Sequence, residues 1–135
     1  MSKGHYKKAI KLYTKAIEIE PASFGAYANR GMAYGHVGKY SKSVSDLKTA
    51  LDIKKNDTLI IKTLAIAYTY LKKYKNAISY YKRGEELGVK GDAGYNFDYG
   101  TVYFRMEKMD SAIYFLERSF AMDSLYSGTY NNLAW

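Results

Sequence analysis

Between Ile60 and Leu71 the apolar residues Ile61, Leu64, Ala65, Tyr68 and Leu71 recur at helical spacing and share one face. Lys72 and Lys73 interrupt the run. A second one follows, with Ala77, Ile78, Tyr81, Gly84 and Leu87 on a single face. Two amphipathic stretches joined by a short polar turn predict an antiparallel helix pair. Ser23 and Asp57 stand where the first helix of such a pair would begin, and their side-chain oxygens can accept from the open N–H groups there. Gly38 marks a tight turn inside the preceding pair, and Gly88 follows a second helix as a left-handed stop requires. No segment alternates as a half-buried strand does. The expected class is all-α.

The pairs repeat. Tyr6, Tyr40, Tyr74 and Met109 are 34, 34 and 35 residues apart. Ala9, Ser43, Ala77 and Ala112 keep the same steps, as do Ala16, Ala50, Gly84 and Ser119. A further small series, Gly31, Ala65, Gly100 and Ala134, takes its longer step between Ala65 and Gly100. One extra residue between Gly84 and Gly100 accounts for every series. Helices that cross at about 8–10 Å need small side chains at the crossing. Gly31, Ala65 and Gly100 are therefore expected to admit the second helix of their own pair, and Ala9, Ser43, Ala77 and Ala112 to do so from the other side. Ala50, Gly84 and Ser119 would admit the first helix of the next pair, with Tyr34, Tyr68 and Tyr103 filling the space between. The expected organisation is a single array. Residues 1–23 give the second helix of a partial repeat, 24–57 a repeat, 58–92 a repeat with one inserted residue, 93–126 a repeat, and 127–135 the start of another.

These positions resemble the tetratricopeptide repeat, whose signature runs Trp-x2-Leu-Gly-x2-Tyr, then Ala-x3-Phe, then Pro. The second unit reads Tyr27-x2-Arg30-Gly31-x2-Tyr34 and Ser43-x3-Leu47. The third reads Ile61-x2-Leu64-Ala65-x2-Tyr68 and Ala77-x3-Tyr81, and the fourth Asn96-x2-Tyr99-Gly100-x2-Tyr103 and Ala112-x3-Leu116. The first supplies Ala9-x3-Tyr13 and Pro21, and a fifth opens with Tyr130-x2-Leu133-Ala134. Pro21 has no counterpart at Lys55, Val89 or Ser124, and Asn96 stands where an apolar residue is usual. The resemblance implies a right-handed α-solenoid of about three full repeats with a half repeat at each end, its pitch altered near the insertion at 88–94. Both ends fall inside a repeat, the pattern of a piece of a longer array. An uncovered terminal helix is expected to favour self-association through the ends.

Composition adds little to the fold and something to the function. With 47% hydrophobic and 25% charged residues the chain is globular. The single proline agrees with uninterrupted helix. The lack of cysteine removes disulfides and thiolate-bound zinc. No apolar run reaches the roughly 20 residues needed to cross a bilayer. No leader is expected behind Met1-Ser2-Lys3-Gly4-His5, which leaves the cytoplasm as the default compartment.

In a solenoid of this kind the first helices line the concave side. The face opposite the core carries Asn29, Met32 and His36 in the second unit, beside Gly25 and Ala28. The third contributes Lys62, Ile66 and Tyr70, with Leu59 and Thr63. The fourth contributes Phe97, Asp98, Thr101, Phe104 and Arg105, with Gly94. Met32, Ile66, Tyr70, Phe97 and Phe104 are more apolar than a solvated surface needs, so they are the expected anchors of a peptide groove. The alternative for each is packing between neighbouring repeats. Asn29, Lys62 and Arg105 would donate to the peptide, and Asp98 would accept. The expected function is a non-catalytic protein-interaction scaffold that needs no cofactor. Its expected partner is a peptide segment of another protein.

The resemblance extends in part to the family's carboxylate clamp. Asn29 matches its middle element, but Leu59 and Thr63 stand where Lys and Arg are needed. The formal charge of +8 raises a second class of partner. Lys39, Lys42, Lys72, Lys73, Lys75 and Lys108, with Lys7 and Lys8, cluster at the turns and could follow the phosphates of a nucleic acid or another anionic polymer. No arginine–aromatic platform accompanies them. Catalysis lacks its parts: His5 and His36 lie in different repeats with no carboxylate partner by spacing. Gly88, Gly91 and Gly94 mimic a phosphate loop but follow a helix and lack its lysine.

Overall fold

The computed structural model describes residues 2–89 and 91–126, with side chains to residue 122. The repeat start expected at 127–135, including Tyr130, Leu133 and Ala134, lies outside them. The described residues form seven helices and no strand: α1 (Lys3–Ile19), α2 (Phe24–His36), α3 (Tyr40–Ile53), α4 (Thr58–Tyr70), α5 (Tyr74–Glu86), α6 (Ala93–Arg105) and α7 (Met109–Tyr126). The class is all-α, as the apolar spacing requires. The chain divides into two compact units, one ending at Leu87 and one starting at Gly88.

Caps set the helix starts. Ser23 Oγ accepts from Ala26 N at 3.2 Å and Asp57 Oδ1 from Ile60 N at 3.0 Å, the two caps the sequence indicates. Asp92 does the same for α6, accepting from Tyr95 N at 2.8 Å. The second helices α3 and α5 begin at Lys39 and Lys73 with no side-chain cap. The turns ahead of them use a left-handed residue, Gly38 (φ 80°) before α3 and Lys72 (φ 59°) before α5, and Glu107 (φ 61°) serves α7. Gly88, after α5, is left-handed as well at φ 87°.

In the first unit α2 packs on α1 and α3, α4 on α3 and α5, and α2 also touches α4. Leu47, Ala50, Ile61, Leu64, Ala65, Ala77 and Tyr81 have no exposed surface, which makes this the core. The glycine of the α2/α3 crossing is needed: a Cβ on Gly31 would lie 2.9 Å from Leu47 Cγ. The close approach lets Ser43 Oγ donate to the Gly31 carbonyl at 2.7 Å. The same interface holds an ion pair. Arg30 Nε donates to Asp46 Oδ2 and Nη2 to Oδ1, both at 2.7 Å, and Nη1 donates to Thr14 Oγ1 of α1 at 3.2 Å. The bond to Asp46 pushes the Arg30 guanidinium above its ordinary value against the opposing effect of burial.

The second unit is the α6/α7 hairpin. A Cβ on Gly100 would meet Leu116 Cγ at 2.9 Å and the Ala112 carbonyl oxygen at 3.2 Å. Tyr99 stacks on Phe115 with centroids 4.0 Å apart and on Tyr103 at 5.3 Å. Asn96, unusual at its position, is buried, and its Nδ2 donates to the Asp92 carbonyl at 3.0 Å. Ser119, expected from its series to make room for a following helix, donates to the Ala93 carbonyl of its own hairpin at 2.7 Å.

Candidate functional site

A cleft of about 490 Å³ opens between α2 and α4, lined by Met32, Gly35 and His36 of α2, Leu59, Thr63, Ile66, Ala67 and Tyr70 of α4, and Tyr40 and Ser43 of α3. Its width follows from side-chain size. Gly35, Ala67 and Ser43 make a low floor, while Met32, Ile66 and Tyr70 stand as walls. Two of the hydroxyls inside are already engaged as donors, and the Tyr40 and Tyr70 side chains supply the other two. Ser43 Oγ donates to Gly31 O, and Thr63 Oγ1 donates to Leu59 O at 2.7 Å. What the cleft presents is mostly methyl groups and rings, which suits an apolar guest.

Stacked rings edge the cleft. Tyr40, at the start of α3, lies flat on Tyr70 of α4 with centroids 4.9 Å apart and planes 7° apart. One repeat earlier Tyr6 of α1 lies on His36 of α2, at 4.5 Å and 13°. In both repeats a tyrosine of the second helix thus covers the last turn of the next first helix. His36 is a stacking residue here. The other histidine, His5 in the first turn of α1, lies with its Nδ1 2.9 Å from Ser2 Oγ.

Of the residues expected from sequence, Met32, His36, Leu59, Thr63, Ile66 and Tyr70 come together in this cleft. Asn29 is exposed and Lys62 half-buried, and neither lines it. Ala28, expected at the surface, is 5% exposed, because α2 is covered on more sides than one face of a helix needs. In the second unit Phe97 and Asp98 line a shallow hollow of about 450 Å³ with Ala93, Gly94, Leu116, Ser119 and Phe120. Thr101, Phe104 and Arg105 continue along α6 outside that hollow, Phe104 at 53% exposure and Phe97 at 55%. Sequence reasoning misses Gly35, Tyr40, Ser43 and Ala67 as lining residues. Tyr40 carries a signal: it belongs to the tyrosine series that marks the period, and a recurring ring at a helix start has a surface to cover. Among the described residues no group of three His, Asp or Glu could hold a metal, and no helix is long and apolar enough to cross a membrane.

Antiparallel helix pairs recurring every 34 or 35 residues, joined by left-handed turns and nested through small residues, define a fold of the tetratricopeptide type. Comparison with known proteins agrees. A TPR repeat model matches residues 1–38, and a tetratricopeptide repeat model matches residues 24–57 and 63–87. The chain belongs to the tetratricopeptide repeat family. It is 32% identical to the heat-shock protein cognate co-chaperone sgt12 of Aspergillus fumigatus over 91 residues, 67% of this chain and 27% of that protein. The chain spans under a third of the length of the curated relatives it matches. Among solved structures, MamA aligns with a TM-score of 0.82 at 22% identity, covering 92% of this chain and 72% of MamA. YrrB, described as a TPR protein with an unusual peptide-binding site, aligns at 0.71 and 20% identity, covering 83% of this chain and 57% of its own.

Proposed function

We propose that this chain is a non-catalytic scaffold that binds a segment of a partner protein on the exposed face of its first helices. The observation that carries the reading is the α2/α4 cleft, a largely apolar depression in which the Ser43 and Thr63 hydroxyls donate within the fold. Met32, Ile66 and Tyr70 are its anchors. On α6, Phe97 and Phe104 offer a second apolar surface, with Asp98, Thr101 and Arg105 beside them for hydrogen bonds. Asn29 and Lys62 would contact the partner's flanks. The co-chaperone relative sgt12 and the peptide-binding site described for YrrB support a binding role of this type.

A small groove of this kind gives weak, exchanging association, on the order of micromolar or about −8 kcal/mol. Ile66→Asp places a charge against Met32 and Tyr70 and should abolish capture of partner peptides while the helical circular dichroism is retained. Phe97→Asp is the matching test on α6. If both variants bind as the parent does, the first-helix face is not the site; if they unfold, the residues belong to the core.

A further inference from the structure

The walls of the cleft have a one-sided electrostatic character. Neither α2 nor α4 contains an aspartate or glutamate, and none occurs anywhere in residues 21–45 or 58–84. Of the bordering carboxylates, Asp46 of α3 is buried and held by Arg30, and Asp57, the N-cap of α4, accepts from Ile60 N at 3.0 Å. Cations are plentiful over the same stretches. Lys39 and Lys42 sit at the α2/α3 turn, and Lys72, Lys73 and Lys75 at the α4/α5 turn, all of them exposed. The cleft also has a continuation in this direction. Tyr40, stacked on Tyr70, lines the cleft on one side and on the other a notch of about 410 Å³ formed with Gly38, Lys39, Lys42 and Leu71. An apolar hollow, a ring at its lip and a notch bounded by two lysines follow one another across the surface of this unit, with the Lys42 ammonium 5.6 Å over the Tyr34 ring.

We infer that the cleft takes an apolar side chain of a partner segment whose adjacent residues are acidic, with the acidic residues crossing Tyr40 to lie over Lys39 and Lys42. This rests on the peptide-binding reading of the same cleft and adds the chemistry of the partner. An apolar contact without flanking carboxylates would leave the lysines at the rim unmatched, and a polyanion without an apolar group would leave the cleft empty. Both halves of the surface are met by a segment in which leucine- or phenylalanine-type residues stand next to Glu or Asp. The lysines are solvent-exposed, so their part is steering and selectivity, and it weakens with salt.

The test is an array of short peptides carrying the same apolar cores with Glu, Gln or Lys flanks, probed with the whole chain and with Lys39→Glu/Lys42→Glu and Ile66→Asp. The expected result is retention of Glu-flanked over Gln-flanked peptides by about tenfold at low salt, shrinking as salt is raised. The double lysine variant should lose that preference yet keep its hold on Gln-flanked peptides, and Ile66→Asp should lose both. Equal retention of Glu- and Gln-flanked peptides, with both lost in Ile66→Asp, overturns the acidic-partner inference and leaves the peptide-binding role standing. Retention of no peptide, whatever its flanks, removes both. A uridine oligonucleotide serves as the third probe. If it binds with the same dependence on Lys39 and Lys42, and Ile66→Asp leaves the Glu-flanked peptides bound, the surface is a general polyanion site and the inference fails.

Discussion

The α2/α3 and α6/α7 hairpins fill the same repeat position in opposite ways. Arg30 and Asp46 meet in the first, a bidentate ion pair with both N···O distances at 2.7 Å. Advancing both residues by one repeat and then another gives Leu64 and Tyr80, then Tyr99 and Phe115, a ring stack of the α6/α7 hairpin with centroids 4.0 Å apart. Backbone geometry there is equivalent, since Gly31 and Gly100 each face a leucine Cγ at 2.9 Å from where a Cβ would sit. The hairpin therefore dictates the spacing of two facing groups without dictating their polarity. What each solution demands is different. Rings need only contact and exclusion of water, whereas the ion pair must recover the desolvation of two charges through geometry. Tyr27 and Tyr34 flank the guanidinium at 5.7 and 5.8 Å and help it do so.

The largest effect should come from breaking the pair on one side only. Arg30 and Asp46 keep 18% and 7% of their side-chain surface exposed. Asp46→Ala leaves a guanidinium inside the hairpin, and chemical denaturation should report a loss of about 3 kcal/mol, the lower end for a buried pair because Arg30 retains some water. Asp46→Tyr combined with Arg30→Leu imports the residues that α4 and α5 use at this position, and the double variant should recover most of the loss. A single variant that costs well under 1 kcal/mol would mean the pair is solvated, and the contrast between the hairpins would shrink to one between two surfaces.

The glycines come next. Gly100→Ala pushes a methyl toward the Ala112 carbonyl at 3.2 Å, a backbone atom that cannot rotate away, as well as toward Leu116. Gly31→Ala meets the side chains of Leu47 and Asp46. Overpacking of this sort costs about 1–3 kcal/mol, partly offset by roughly 1 kcal/mol of helix propensity gained in place of glycine. The expected order in thermal melts is a clear loss for Gly100→Ala and a smaller one for Gly31→Ala. The reverse order would show that the interior of the α2/α3 hairpin, stiffened by its ion pair, yields less than the ring-filled one.

These two hairpins also show which features a sequence exposes. The period is legible because the residues that carry it, Gly31 and Gly100 or Ser43 and Ala112, are small for a steric reason that recurs at each crossing. Caps Ser23 and Asp57 are legible because their chemistry is local. The Arg30–Asp46 pair is not: the partners are sixteen residues apart in the chain, and Arg30 reads as a departure from the leucine of the family signature until the facing helix is in place. Half of the cleft follows the same division. Met32 with Ile66 and His36 with Tyr70 are one repeat apart and visible as a face, whereas Tyr40 enters from a second helix, outside the first-helix face from which a groove is read.

The turns give the smallest contrast and the sharpest sign. Gly38 in the α2/α3 hairpin and Glu107 in the α6/α7 hairpin occupy equivalent places and both have positive φ, 80° and 61°. Nothing lies within 4 Å of a Cβ placed on Gly38, so space is not what selects glycine there. The backbone is: a residue with a Cβ loses about 1 kcal/mol or slightly more in the left-handed region. Gly38→Ala should then destabilise by about 1 kcal/mol, while Glu107→Gly, which relieves the same strain, should stabilise by somewhat less because glycine also loosens the unfolded chain. Opposite signs from equivalent positions, read as opposite shifts in denaturation midpoint, are the expected outcome. If Glu107→Gly instead destabilises, a glutamate contact must outweigh the strain, and the two turns are equivalent in backbone shape but not in what holds them.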